Sequence, residues 1–198
     1  MKMNEHEIIP ENKSGIQTNT ESFIELNDAD ELKAFFSVVK NRLLDINSWH
    51  EIAGKTTADF QLCNEKGEAI DRQPQSGDHI RIDIPGPGTI TGEGDDWVVI
   101  EEITEDENSV SIRVRPATNP LNERKDIAHF FSEEATSTFM VKIIDNKIIA
   151  GVYGRNEKPN TNTETFIDTI RNAAIATGAI SGFAKIQWKN LVHAFVKK

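Results

Sequence analysis

The chain has 198 residues, a net charge of −10 at pH 7 and a single cysteine. One domain of ordinary size accommodates this length, and because the negative charge would repel a phosphate backbone, we expect no nucleic-acid partner. No stretch approaches the roughly 18 consecutive apolar residues that a membrane span requires, so we expect no such span. Cys63 alone cannot form an intramolecular disulfide, and the polar, acidic start does not resemble a secretory signal, which together predict a cytoplasmic protein.

The first third of the chain predicts a tail, a strand and two helices. Residues 1–20 are poor in apolar side chains, so we predict a flexible tail before a single domain at 21–198. A short strand at 23–26 precedes a helix that begins after Asn27 and Asp28, whose side chains can cap it. Apolar residues then recur at spacings of three and four, which predicts an amphipathic helix and a second short one ending at Gly54. They are Leu32, Phe35, Phe36, Val39, Leu43, Leu44, Ile46, Trp49 and Ile52.

The middle of the chain predicts an antiparallel sheet. After Gly54 the apolar period changes to two, which is typical of strands with one buried face. We predict strands near 58–63, 80–84, 97–103, 110–116, 138–144 and 147–153. Asp145 and Asn146 favour a tight hairpin between the last two strands.

The C-terminal residues 162–198 predict a long amphipathic helix that closes the domain by packing on this sheet. Its apolar stripe consists of Phe166, Ile170, Ala173, Thr177, Ile180, Ala184, Trp188, Leu191 and Phe195. Gly178 and Gly182 each weaken a helix by about 1 kcal/mol relative to Ala. They therefore indicate either a bend or a close approach of the backbone to the sheet or to a ligand.

This order of elements resembles the START and Bet v 1-like helix-grip superfamily, also called the polyketide cyclase and lipid-transport group. The resemblance covers residues 21–198 and rests on the element order, on the C-terminal helix and on residues 43–49, which are similar to the family's Asp-then-Trp entry into the sheet. It implies an α+β fold in which a curved antiparallel sheet of six to seven strands grips a long C-terminal helix. It also implies a hydrophobic cavity for lipid-like or aromatic ligands, although some members are cyclases or chaperone activators. A cystatin-like cone is the competing architecture.

Two stretches invite a chemical interpretation that their context does not favour. Residues 86–94 are rich in glycine, but they lead into a strand, whereas a phosphate-binding loop leads into a helix N-terminus, so we predict a hairpin or cavity rim. Glu93, Asp95 and Asp96 lack the spacing of a calcium loop. We therefore predict no metal site and no cofactor.

The histidines and the cysteine carry no recognisable catalytic spacing. His6, His50, His79, His129 and His193 show no zinc-binding pattern, and Cys63 has no base visible in the sequence. His129, beside Phe130 and Phe131, lies in the long connection 117–135, which we interpret as either a lid or a surface insertion. It either donates to a ligand or caps the insertion. Whether the protein is an enzyme remains open.

Three arginines share the strand faces opposite the aliphatic rows. Arg81, Arg113 and Arg115, with Tyr153 and Arg155 on a later strand, would bind an anionic head group if that face lined a cavity. If the face is turned outward, they would instead pair with Asp83, Glu101 or Glu102 across the sheet. Periodicity does not decide between these arrangements.

From these features we predict that the protein binds a small apolar or amphipathic ligand, lipid-like or aromatic, in a cavity between the sheet and the C-terminal helix. The predicted ligand-binding residues are Trp49, Trp97, Arg113, Arg115, His129, Phe131, Tyr153 and Trp188. Two alternatives remain open. One is a protein-interaction module with a filled core, and the other is an enzyme of the cyclase or hydrolase type.

Overall fold

The computed structural model describes residues 8–54, 58–83, 92–160 and 185–198. Within them, seven strands form one antiparallel sheet in the order β1-β7-β6-β5-β4-β3-β2. The strands are β1 (Ile16–Glu25), β2 (Asp59–Cys63), β3 (His79–Asp83), β4 (Asp96–Glu105), β5 (Ser109–Pro116), β6 (Thr136–Ile144) and β7 (Lys147–Glu157). Helix α1 (Ala29–Leu44), a 3-10 turn (Ile46–Ser48) and helix α2 (Trp49–Ala53) follow β1, and helix α3 occupies 185–196. The predicted α+β fold is confirmed.

Strand β1 begins earlier than predicted. The tail prediction was wrong for residues 16–20, because they pair antiparallel with β7, with Thr18 opposite Gly154 and Thr20 opposite Val152. The polar composition that indicated disorder belongs here to the edge strand of the sheet, which buries few of its side chains. Edge strands carry polar and charged residues because only one of their sides is paired.

Helix α1 forms as its sequence predicts. The Asp28 carboxylate caps it by accepting hydrogen bonds from the backbone N–H groups of Asp30 (3.0 Å) and Glu31 (2.8 Å). Its buried residues recur mostly at spacings of three and four, so they lie on one side of the helix. There they pack against the sheet in a single apolar core. They are Leu32, Phe36, Val39, Leu43 and Leu44.

The sheet has two distinct faces, set by the alternation of side chains along each strand. We call the face that packs against α1 and α3 the helix face. It carries the apolar rows of the main core, among them Ile80, Val98, Ile100, Val110, Ile112, Val114, Phe139, Val141, Ile148, Ala150 and Val152. We call the opposite side the outer face. Two small separate clusters lie there, one around Tyr153 and Met140 and one around Trp97 and Cys63.

The two ends of the sheet also differ. At one end, which we call the upper end, lie the start of β1, the end of β7, the start of β6 and the end of β5. Of the described residues between strands, 92–95, 117–135 and 158–160 adjoin this end, whereas the hairpins at 106–108 and 145–146 turn at the lower end. Long connections at one end of a rigid sheet are a common setting for binding sites.

Helix α3 is fixed to the lower end by its last turns. Leu191, Val192, Phe195 and Val196 belong to the main core. The Arg42 guanidinium of α1 donates hydrogen bonds to the backbone oxygens of Ala194 (3.2 Å), Phe195 (2.9 Å) and Lys197 (2.6 Å). A cation at this position satisfies the carbonyls that a helix C-terminus leaves unpaired.

Part of the predicted C-terminal helix lies outside the described residues. Phe166, Ile170, Ala173, Thr177, Ile180 and Ala184 of its stripe, and both Gly178 and Gly182, fall within 161–184. In the parts of the chain that the structure does describe, no helix is long and apolar enough to cross a membrane.

We expect Arg42→Met to lower the free energy of unfolding by about 1–2 kcal/mol, because it removes three hydrogen bonds to the end of α3 while keeping the apolar stem. Urea denaturation measures this change. Arg124→Met is the matched control, since Arg124 is exposed in the β5–β6 connection. Equal stability of the two variants would contradict the role assigned to Arg42.

Candidate functional site

The middle of the helix face is closed by an aromatic cluster. Trp49 is fully buried and contacts the rings of Phe60 (5.3 Å between centroids), Phe139 (4.7 Å) and Phe195 (5.8 Å). Its indole N–H donates to the carbonyl oxygens at the end of α1. Trp188 of α3 is only partly buried, and its ring lies 5.3 Å from Phe139.

One step toward the upper end, the helix face changes character. Phe139, Val152 and Thr20 stand side by side across β6, β7 and β1. The next row on the same face consists of Ser137, Gly154 and Thr18. Large apolar side chains give way to small polar ones and to a glycine, so this corner of the sheet forms a shallow polar recess next to an aromatic wall. We call these three residues, together with Glu157, the polar recess.

Glu157 enters the recess through an irregularity in β7. The register between β1 and β7 shifts here, because Ile16 lies opposite Glu157 while Thr18 lies opposite Gly154. Asn156 adopts a positive φ of 55° at this point. Such a bulge changes the direction in which a side chain points.

The bulge is held by hydrogen bonds from the segment before β1. The Asn156 side-chain oxygen accepts from the backbone N–H groups of Lys13 (2.7 Å) and Ser14 (3.1 Å). The Asn156 N–H in turn donates to the side-chain oxygen of Asn12 (2.8 Å). The orientation of Glu157 therefore depends on residues more than 140 positions away in the sequence.

The Glu157 carboxylate lies directly above Gly154. A Cβ atom at Gly154 would come within 2.1 Å of Glu157 Oε1 and 2.4 Å of Thr18 Oγ1, so only glycine leaves room for this arrangement. The Thr18 hydroxyl donates to Glu157 Oε1 over 3.2 Å. Glu157 is 8% exposed, and burial raises the pKa of its carboxyl above the usual value, against the opposing effects of Thr18 and Arg155.

Trp97 lies on the outer face, in a cluster with Cys63 and Ala128. Trp97 cannot line a cavity between the sheet and α3. Side chains alternate along β4, and Val98 and Ile100 occupy the helix face. Cys63 lies opposite His79 in the β2–β3 ladder. Burial raises the pKa of the Cys63 thiol, which disfavours the nucleophilic thiolate.

The arginines also lie on the outer face, where they form the ion pairs that the second sequence interpretation anticipated. Arg113 contacts Glu101 (3.2 Å) and Glu102 (2.7 Å), and Arg115 contacts Glu101 (2.6 Å). A bulge in β4 between Ile100 and Glu102 brings both glutamates to this side. Tyr153 is buried on the same face and donates to Glu21 over 2.6 Å. None of these three predicted residues faces α3.

His129 and Phe131 occupy the β5–β6 connection at the upper end. The Phe131 N–H donates to His129 Nδ1 over 2.9 Å, and the imidazole stacks on Phe130 with 4.4 Å between ring centroids. Burial lowers the pKa of His129 to about 3, with a smaller opposing effect from the Phe131 hydrogen bond. The histidine therefore shapes the turn from within rather than projecting toward a ligand.

The described residues also form a cleft apart from the recess. A cleft of about 410 Å³ separates α1 from residues 71–73, and its two arginines are engaged: Arg42 at the end of α3 and Arg72 with Asp78. Among the side chains that the structure describes, no group of three histidine, cysteine, aspartate or glutamate residues is arranged to hold a metal ion. Most of the glycine-rich stretch lies outside the described residues.

The sequence prediction did not include the polar recess. Of its eight residues, Trp49 and Trp188 lie on the helix side of the sheet. Thr18, Ser137, Gly154 and Glu157 were missed, because each lies outside the predicted strands at 23–26, 138–144 and 147–153. The signal was Asn156, two residues after Gly154 in a strand, because asparagine adopts a positive φ more readily than most residues.

No protein-family model matches the chain, and no curated protein matches it. A hypothetical protein of Helicobacter pylori is similar in structure, with a TM-score of 0.55 and 13% identity over 100% of this chain and 96% of that chain. XoxI of Bacillus cereus is similar with a TM-score of 0.44 and 14% identity, over 91% of this chain and 96% of that chain. Norcoclaurine synthase of Thalictrum flavum, in complex with dopamine and hydroxybenzaldehyde, has a TM-score of 0.37 and 9% identity. The similarity covers 90% of this chain and 88% of that chain. The first similarity shows a shared fold, whereas the TM-scores of the other two are below 0.5.

The buried His129 makes stability depend on pH. In the folded chain it stays neutral down to about pH 3, whereas in the unfolded chain it takes up a proton near pH 6.5. The unfolded state therefore binds more protons between these values, and stability falls as the pH drops below 6.5, by about 1.4 kcal/mol per pH unit from this group.

We expect His129→Asn, whose side-chain oxygen can accept from Phe131, to reduce this slope between pH 6 and pH 4. Urea denaturation at several pH values measures the slope. The exposed His193 of α3 provides the control His193→Asn. If both variants keep the slope of the natural protein, His129 is not the group responsible.

Proposed function

We propose that the protein binds a small amphipathic molecule between the helix face of the sheet and the C-terminal helix, with the polar recess receiving the polar end of the ligand. The observation that carries this proposal is the change along β6, β7 and β1. The row of Phe139 and Val152 is apolar, and the adjacent row of Ser137, Gly154 and Thr18 is small and polar.

The apolar side of the proposed site is an aromatic wall. Phe139 is buried, and Trp188 remains only partly covered although it packs against the main core. The two rings meet nearly at right angles, with 79° between their planes. Ligand pockets combine such apolar lining with a few fixed polar groups, and Glu157 with Thr18 supplies those groups here.

Access from the upper end supports the same location. Thr18 is exposed while Glu157 beside it is buried, so the recess opens toward solvent at the edge strand. The lower end, by contrast, is filled by the last turns of α3 and by the main core. A ligand could therefore enter beside β1 without disturbing the packing around Trp49.

We expect Ser137→Leu to weaken the binding of a neutral apolar fluorescent probe such as N-phenyl-1-naphthylamine by about tenfold or more, because a larger side chain fills the recess. Fluorescence titration measures the affinity, and native mass spectrometry of the protein as purified tests for a bound molecule. Ser109→Leu, on the outer face at the start of β5, is the matched control. Equal probe binding by both variants, or the absence of any binding to the natural protein, would argue against this site.

A further inference from the structure

The inference concerns the charge of the ligand and rests on the proposed function. We propose that Glu157 binds a protonated amine of the amphipathic ligand, whose apolar body lies against Phe139 and Trp188. The protein surrounds its two buried carboxylates, Asp78 and Glu157, with different partners.

Asp78 shows how this chain satisfies a buried carboxylate that has a structural role. It is 4% exposed and accepts two hydrogen bonds from the Arg72 guanidinium, over 2.7 and 2.8 Å. The backbone N–H of Gln75 supplies a third, over 2.8 Å. Three of its about four acceptor positions are therefore filled, two of them by a cation.

Glu157 is nearly as buried but has far less compensation. In the part of the chain that the structure describes, the Thr18 hydroxyl is the donor that reaches its carboxylate, and Arg155 lowers its pKa through its charge without a salt-bridge contact. Arg155 is two residues away, but its guanidinium donates instead to the Thr18 and Gly154 carbonyl oxygens and to Asn19 Oδ1. An ionised carboxylate offers about four acceptor positions, so most of its capacity is left for an added molecule.

The chain maintains this position in spite of its energetic cost. The bulge at Asn156 and its hydrogen bonds to Lys13 and Ser14 direct Glu157 onto the helix face. Gly154 provides the space that the carboxylate occupies. A carboxylate placed by a specific backbone irregularity, next to an exposed threonine and an aromatic wall, has the arrangement of a ligand contact rather than of a core residue.

A protonated amine fits this position better than a neutral or anionic group. An ammonium group has three N–H donors and a positive charge, whereas a carboxylate ligand would be repelled. The net charge of −10 adds a general attraction for cations. Phe139 lies two residues from Ser137 along β6, about 7 Å, so an alkyl or aryl group attached to the amine would reach the aromatic wall.

The test uses three probes of equal chain length: decylamine, decanol and decanoate, each below its micelle concentration. Isothermal titration calorimetry gives the affinities for the full-length protein. We expect decylamine to bind about tenfold or more tightly than decanol, and decanoate to bind most weakly. In Glu157→Gln the preference for decylamine over decanol should disappear while decanol binding is retained. Glu107→Gln, an exposed glutamate in the β4–β5 turn, removes the same charge and should leave the preference unchanged.

The outcomes separate the two proposals. If decanol and decylamine bind the natural protein equally well, the inference about the amine is wrong while the proposed function stands. If none of the probes binds, the proposed function fails as well. The comparison within the natural protein needs no variant, so it can overturn the inference even if Glu157→Gln does not fold. A preference for decylamine that Glu157→Gln retains would overturn it as well.

Discussion

The packing around Trp49 is the constraint on which the rest of the structure depends. This one side chain joins the end of α1, through hydrogen bonds to the carbonyl oxygens of Arg42 and Leu43, to strands β2 and β6 and to helix α3. Fully burying a large aromatic side chain contributes about 2–3 kcal/mol, and each edge-on ring contact adds about 1 kcal/mol. The sheet and the two helices therefore meet at this side chain within the main core.

Because α3 is held at its C-terminal end, the two ends of the helix face are free to differ. The lower part is a conventional core, in which Phe195 and Leu191 fill the space above the sheet. The upper part need not be packed as tightly, since Arg42 and Trp49 already fix the helix. This division lets a protein keep its stability while one corner carries small and polar residues that contribute little to the core.

Much of the fold could be predicted because its signals are local. The helical period of α1, its Asp28 cap and the alternation in β2 through β7 depend on neighbouring residues, and the structure confirms these elements. Strand β1 was only partly recognised, because an edge strand buries little and its residues are polar. The faces of Arg113 and Arg115 were also undecided, because alternation shows which residues share a face but not which face a helix covers.

The polar recess escaped prediction for a different reason. Its key residue is oriented by contacts between positions far apart in sequence, where Asn12 and Asn156 hydrogen-bond across more than a hundred residues. A buried carboxylate with one hydroxyl donor costs the fold on the order of 1–3 kcal/mol relative to a compensated one. Stability alone would favour an apolar residue at this position, and an apolar residue would not require Gly154 beneath it. The proposed polar contact with a ligand would account for the bulge, the glycine and the under-compensated Glu157 together.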